Sequence, residues 1–165
     1  MGAKKTIAIV TDKETVATHF ARMLCSKQFR ILFVTKNGGR FKKAAAEISE
    51  KDQDAEVEIV DCAREGCWEA DLIMLEAGDS EESAIADAIK EVAIQKVVIS
   101  IKEMDNNVKE VPDELEKLLP HSKVVMAQIK RNSPEILLSG LDADAIEKVS
   151  GIFKESGYIP KFGKN

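Results

Sequence analysis

Glycine is missing from the one turn where an α/β chain of this pattern most often carries it. Between the apolar run Thr6–Val10 and the amphipathic segment that follows, the chain reads Thr11-Asp12-Lys13-Glu14-Thr15. Aromatic residues are scarce at 5%, with one tryptophan and one tyrosine, and only four prolines interrupt 165 residues. There is no basic excess: 24 Lys and Arg against 29 Asp and Glu give a net charge of −5. A phosphate backbone therefore finds no counter-charge, and nucleic acid is excluded as the expected partner. No apolar run is long enough to cross a membrane, so none is expected as a partner. Cys25, Cys62 and Cys67 are odd in number, without the CxxC spacing of a redox or zinc motif, and only His19 and His121 offer imidazole. The chain is read as cytoplasmic with reduced thiols, and no metal site is expected. MGAKKT fits a loose myristoylation pattern but reads more simply as a short tail before the first strand.

What is present is regular alternation. Short apolar runs predict strands over Thr6–Val10, Arg30–Thr35, Glu56–Asp61, Asp71–Leu75, Lys96–Ile101, Lys123–Ile129, Glu135–Ser139 and Tyr158–Phe162. Between them lie helical stripes: Val16, Phe20, Met23 and Leu24; Phe41, Ala44, Ala45 and Ile48; Ile85, Ala88, Ile89 and Val92; Ile146, Val149 and Phe153. Asp79 and Glu82 have the spacing of a capping box. Pro112 suits the first turn of a helix before strand six. Trp68 is expected to pack a short helical piece onto the sheet, the alternative being an aromatic on a surface patch that would suit a partner. Strands that are apolar throughout, alternating with helices, imply one mainly parallel sheet covered on both faces: a doubly wound α/β domain of three layers, αβα, spanning 1–165. Ligands of such folds sit beyond the carboxyl ends of the strands. The candidate residues are therefore Thr11, Asp12 and Lys13 after strand one, Thr35, Lys36 and Asn37 after strand two, and Glu76, Ala77 and Gly78 after strand four.

Three segments carry a resemblance: EADLIMLEAG before a helix and KVVISI, then LPHSKVVMAQIK, then ILLSGLDADAIEKVSGIFKESGYIPKFG. In order and spacing they resemble the NADP oxidoreductases that use the deazaflavin coenzyme F-420, and the N-terminal domain of pyrroline-carboxylate reductases. The resemblance implies a Rossmann-like domain, NADP as cofactor and oxidoreductase chemistry. It also marks departures. The family's fingerprint glycines would fall on Thr11, Lys13 and Val16. The turn after strand four, usually small and ending in proline, reads Glu76-Ala77-Gly78. The turn after strand five reads Lys102-Glu103. Thr35-Lys36 stands where the family often places a serine-arginine pair on the 2′-phosphate of NADP.

The first turn has its own chemistry. T-x-x-E at Thr11 to Glu14 predicts a capping box: the Thr11 hydroxyl on the Glu14 amide and the Glu14 carboxylate on the Thr11 amide. Amides that a pyrophosphate needs are then satisfied internally, and Asp12 and Glu14 repel an anion. Lys36, with Arg40, Lys42 and Lys43, forms a basic cluster suited to a phosphate monoester or to a solvated helix start. His19 reads as a boundary histidine and His121 as exposed. Glu76, ending a buried strand, is the acid whose pKa burial would raise. Two readings stay open: an NADP-linked oxidoreductase with altered cofactor binding, its catalytic residues unassigned, and a non-catalytic Rossmann-like module with no cofactor. A third ligand class, a small anion or nucleotide on the Lys36 cluster, and a homodimer sharing the site are the partners kept in view.

Overall fold

The computed structural model describes residues 4–25, 29–76, 79–104 and 114–163, with residues 15, 16, 79 and 80 described by backbone alone. Eight strands follow the alternation read from the sequence: β1 Lys5–Thr11, β2 Phe29–Val34, β3 Val57–Val60, β4 Leu72–Glu76, β5 Val97–Glu103, β6 Lys123–Ile129, β7 Glu135–Gly140 and β8 Ile159–Phe162. The described helices are α1 Glu14–Cys25, α2 Gly38–Lys51, α3 Ala63–Glu69, α4 Asp79–Ile89, α5 Glu114–Leu118 and α6 Ala143–Glu155. Pro112, expected in the first turn of α5, lies outside the described residues.

The strands form one sheet in the order β3-β2-β1-β4-β5-β6-β7-β8. β1 to β6 are mutually parallel, β7 runs antiparallel to β6, and β8 runs parallel to β7. The order reverses between β1 and β4, which makes that gap the switch point of a doubly wound sheet. Side-chain alternation supplies both faces. Ile7 and Ile9 of β1 join Phe20, Phe41 and Phe153 under α1, α2 and α6. Ala8 and Val10 join Cys67, Ala86, Ile89 and Leu115 under α3, α4 and α5. Both clusters are buried, which is why these strands read as unbroken apolar runs.

Polar groups pin the register. The Thr6 amide donates to Asp71 Oδ2, and the Asp71 amide returns a bond to the Thr6 carbonyl, both at 2.8 Å. Lys96 Nζ donates to the carbonyls of Cys67 and Trp68 at 2.7 and 2.9 Å, closing the C-terminus of α3 with a cation. Asp142 Oδ1 accepts from the Ala145 amide at 2.8 Å and starts α6. At the β8 edge, the Ile159 and Gly163 amides donate inward. Pro160 therefore falls in an outward-facing position, where its missing N–H leaves less for another chain to pair with.

Two helix expectations change. Trp68 is 69% exposed instead of packing inward. α3 meets the sheet through Gly66, where an added Cβ would lie 2.5 Å from Val34 Cγ2, and through Cys67. The helical step of about 100° turns the next residue outward. On α4, Ala88 is exposed and the buried line runs through Glu82, Ala86 and Ile89. Glu82 is no helix cap by its Oε1, which accepts from Ser100 Oγ and faces Lys102 Nζ, each at 3.3 Å. The Asp79 side chain, the other half of that expected box, lies outside the described residues.

Among the described residues no helix is long and apolar enough to cross a membrane. Two glycines test the packing in opposite directions. A Cβ at Gly140 would meet the Val124 carbonyl oxygen at 2.7 Å, while one at Gly151, in the middle of α6, meets nothing within 4 Å. Gly140→Ala is expected to lose about 1–3 kcal/mol of unfolding free energy. Gly151→Ala should gain about 0.5–1 kcal/mol by removing freedom from the unfolded chain. Urea denaturation of both variants checks the pair of signs.

Candidate functional site

The carboxyl ends of β1, β2 and β4 open into a cleft of about 350 Å³ on the α3 and α4 face. Val10, Val34, Ala63 and Ile85 give it apolar walls. Its polar lining is Thr11, Thr35, Lys36 and four carboxylates: Asp12, Asp61, Glu76 and Glu81. Candidates from the β1, β2 and β4 turns thus converge on one place. Ala77 and Gly78, the other β4 candidates, lie outside the described residues.

Each threonine holds its own turn. Thr11 Oγ1 accepts from the Lys13 amide at 2.9 Å, and Thr35 Oγ1 accepts from the Asn37 amide at 3.1 Å. Both are ST-turns, in which a hydroxyl replaces a backbone acceptor two residues on. The self-satisfied turn at Thr11 differs in register from the expected capping box. The Lys13 carbonyl already accepts from the Ala17 amide at 3.3 Å, so Lys13 caps α1, two residues beyond Thr11, and the hydroxyl reaches Lys13 instead of Glu14. Thr11 and Thr35 are buried, whereas Asp12, Lys13, Lys36 and Asn37 are exposed.

The two turns are tied together. The Thr35 hydroxyl donates to Asp12 Oδ1 at 3.1 Å, bringing a carboxylate from the first turn onto the second. Across the switch point, Lys13 Nζ faces Glu76 Oε1 at 3.7 Å, with the lysine side chain 68% exposed and the glutamate 13%. Glu76 Oε2 is buried and has no hydrogen-bond partner among the described residues. Burial pushes the Glu76 carboxyl above the ordinary carboxylate range, and Lys13 opposes that only in part. The expectation of a raised acid at this position is met.

The remaining expected residues separate from the cleft or stay at its rim. Cys62 precedes α3 and is half-buried, and Cys67 is fully buried, its thiol pushed up to about 12 by desolvation. All three cysteines are free. His121 is exposed beyond α5. His19 is exposed, and its Nε2 lies 3.0 Å from the Tyr158 hydroxyl. No sequence signal joins residues 139 positions apart. Asp61, just past β3, lines the cleft as its place at a strand end implies. Glu81 was absent from the expected site, and its position in the first turn of α4 could have nominated it.

The raised Glu76 carboxyl fixes a sign. In the unfolded chain the acid ionises at its ordinary pKa, while in the folded chain it holds its proton to higher pH. Its favourable contribution is full below the unfolded value and fades as pH rises through the raised folded value. Glu76→Gln removes that fade, and the exposed Lys13 partner returns little when intact. The expected result in urea titrations is a variant that gains on the wild type as pH rises above the ordinary carboxylate range of about 4. A stability difference independent of pH would contradict it.

No protein-family model matches the chain, and no curated protein does. Solved structures match its fold. A putative F420-dependent NADP reductase from Arthrobacter sp. FB24 superposes with a TM-score of 0.70 at 16% identity, over 94% of this chain and 82% of that one. A pyrroline-5-carboxylate reductase from Coxiella burnetii gives 0.66 at 15% identity, over 99% of this chain and 60% of that one. The (S)-3-hydroxybutyryl-CoA dehydrogenase PaaH1 from Ralstonia eutropha gives 0.68 at 12% identity, over 98% and 64%. This chain thus spans less than two thirds of the latter two. The resemblance read from the sequence holds at the level of fold: the chain is a Rossmann-type α/β domain like those of NAD(P)-linked oxidoreductases.

Proposed function

We propose that this chain is a Rossmann-type domain of the NADP oxidoreductase kind that no longer takes up the dinucleotide, and that it acts as a non-catalytic ligand-binding module. The observation that carries the reading is the bond from Thr35 Oγ1 to Asp12 Oδ1 at 3.1 Å. Thr35-Lys36 is the counterpart of the pair that grips a 2′-phosphate in the resembled family. A carboxylate now occupies its hydroxyl.

Three further features act in the same direction. The Lys13 amide is already bonded to Thr11, where a pyrophosphate would seek free N–H groups at the helix start. The Lys13 ammonium leans toward Glu76. The cleft lining sets four carboxylates against the single ammonium of Lys36. A phosphate about 4 Å from one of those carboxylates meets a repulsion of about 1 kcal/mol in water, and more in a partly dry cleft. The second reading, an oxidoreductase with an altered cofactor pose, draws on one observation: Lys36 is exposed and lines the cleft.

Thermal shifts separate them. With NADPH or NADH at millimolar concentration, the wild type is expected to melt where it melts in buffer. Asp12→Ser, which removes the carboxylate from Thr35, should gain a shift with NADPH in preference to NADH. A clear NADPH shift in the wild type that disappears in Lys36→Ala would overturn the proposal and restore the oxidoreductase reading.

A further inference from the structure

The same end of the sheet carries a second concavity on its other face, under α1 and α6. It is floored by Phe20, Ile129 and Pro134, walled by His19 and Tyr158, and rimmed by Lys130 and Arg131, with a volume of about 710 Å³. α1, the end of β6, the β6–β7 turn and the residue before β8 all contribute. None of these groups belongs to the cleft described above.

The walls are held in place. Tyr158 stacks on Phe20 with centroids 6.0 Å apart and an interplanar angle of 26°, and meets Phe153 edge-on at 5.6 Å. Its hydroxyl pairs with His19 Nε2 at 3.0 Å. Burial pushes the phenol pKa upward, so the hydroxyl stays neutral and keeps its proton to donate. The rim is held too. The Ser133 amide donates to the Lys130 carbonyl at 3.2 Å, and Asn132, at φ 61°, reverses the chain. Ser133 Oγ then accepts from the Glu135 amide at 3.2 Å. Lys130 and Arg131 therefore project from a hydrogen-bonded turn.

Charge distinguishes this groove from its neighbour. In a chain of net charge −5, its lining among the described residues includes Lys130 and Arg131 and no carboxylate. Arg131 meets one acid: its Nε lies 3.0 Å from Glu103 Oε1. That pair is exposed on both sides, 79% and 63%, so it contributes little and yields readily to a second acceptor. An apolar floor with two cations at one rim and the hydrogen-bonded His19–Tyr158 pair on the wall has a definite complement.

We propose that this groove binds a small organic oxyanion with an aromatic or apolar body, its charged group on Lys130 and Arg131, its body on Phe20, Ile129 and Pro134, and a polar substituent against the His19–Tyr158 pair. Phosphate and carboxylate share the chemistry that the cations recognise, and the guanidinium fork suits both.

The composition provides a site-resolved test. Tyr158 is the only tyrosine, and Trp68 the only tryptophan. Trp68 sits at the other end of the sheet, before β4. Protein carrying 3-fluorotyrosine and 5-fluorotryptophan gives one fluorine resonance for the groove and one for a distant control. Phenyl phosphate and benzoate are expected to shift the Tyr158 resonance saturably and to leave the Trp68 resonance in place. Lys130→Ala/Arg131→Ala, both exposed positions, should weaken either ligand about tenfold or more, with the Trp68 resonance certifying the fold. His19→Gln should weaken a hydroxyl-bearing probe such as 4-hydroxybenzoate more than benzoate. The inference falls if neither probe saturates at millimolar concentration, or if the double variant binds unchanged. It falls also if phenethylamine binds as well as phenyl phosphate, or if inorganic phosphate binds as well, which would leave the apolar floor without a role.

Discussion

A parallel sheet buried on both faces is the constraint on which the rest of this molecule depends. Crossover helices must cover both sides, so successive strands of β1 to β6 run the same way. Their carboxyl ends then gather along one edge. The turns after β1, β2, β3 and β4 are delivered there, and the β6–β7 hairpin and the start of β8 arrive at the same edge because β7 turns back. Both concavities described above lie along it, with the thickness of the sheet between them. The sheet also sorts their charge: carboxylates line the α3 and α4 side, and cations line the α1 and α6 side. A net charge of −5 averages these environments and describes neither.

The turns after β1 and β2 are built alike, and that likeness explains why the glycines can be dispensed with. A glycine turn keeps its amides bare for a ligand and lets the backbone approach it closely. A threonine turn gives an amide a partner from its own chain, as Thr11 does for Lys13 and Thr35 for Asn37. The first device depends on a bound anion to complete it, and the second is complete in the empty protein. Asp12 then joins the two turns through the Thr35 hydroxyl. A net hydrogen bond of this kind contributes about 1 kcal/mol, somewhat more when one partner is charged. Both turns and the link between them are thus held by bonds internal to the chain.

Most of the architecture was legible in the sequence, because strands buried on both faces leave a signal that tolerates errors of a residue or two. β4 and β5 read as apolar runs because Ile73 and Val98 face one helix layer while Met74 and Ile99 face the other. Legibility failed where a polar group took an apolar position. Glu82 lies in the buried stripe of α4, satisfied by Ser100 and Lys102, and the stripe therefore runs through Ala86 in place of Ala88. Trp68 was misjudged because the contact of α3 is made by Gly66, and closeness through a missing side chain leaves no hydrophobic mark. Residue types near the strand ends pointed to side chains that line one cleft, Thr11, Asp12, Thr35, Lys36 and Glu76 among them. The pairings were not legible: Thr35 with Asp12, Lys13 with Glu76 and His19 with Tyr158 join separate elements, and local pattern carries no information about them.

Self-bonded turns do not settle every polar group at this end of the sheet, and Glu76 is the exception. Leaving a buried acceptor without a partner costs about 1–3 kcal/mol, which is a sizeable share of the stability of a domain of this size. Here the orphaned atom is Oε2 of a carboxyl at the switch point, next to an ion pair its other oxygen makes with an exposed lysine. Had selection acted for packing alone, an amide or an apolar side chain at position 76 would avoid the desolvation that raises the acid. Unsatisfied groups and perturbed acids concentrate where a fold meets a ligand. The first cleft therefore carries, at the switch point of the sheet, a raised acid beside an exposed lysine, a pairing that packing alone does not account for.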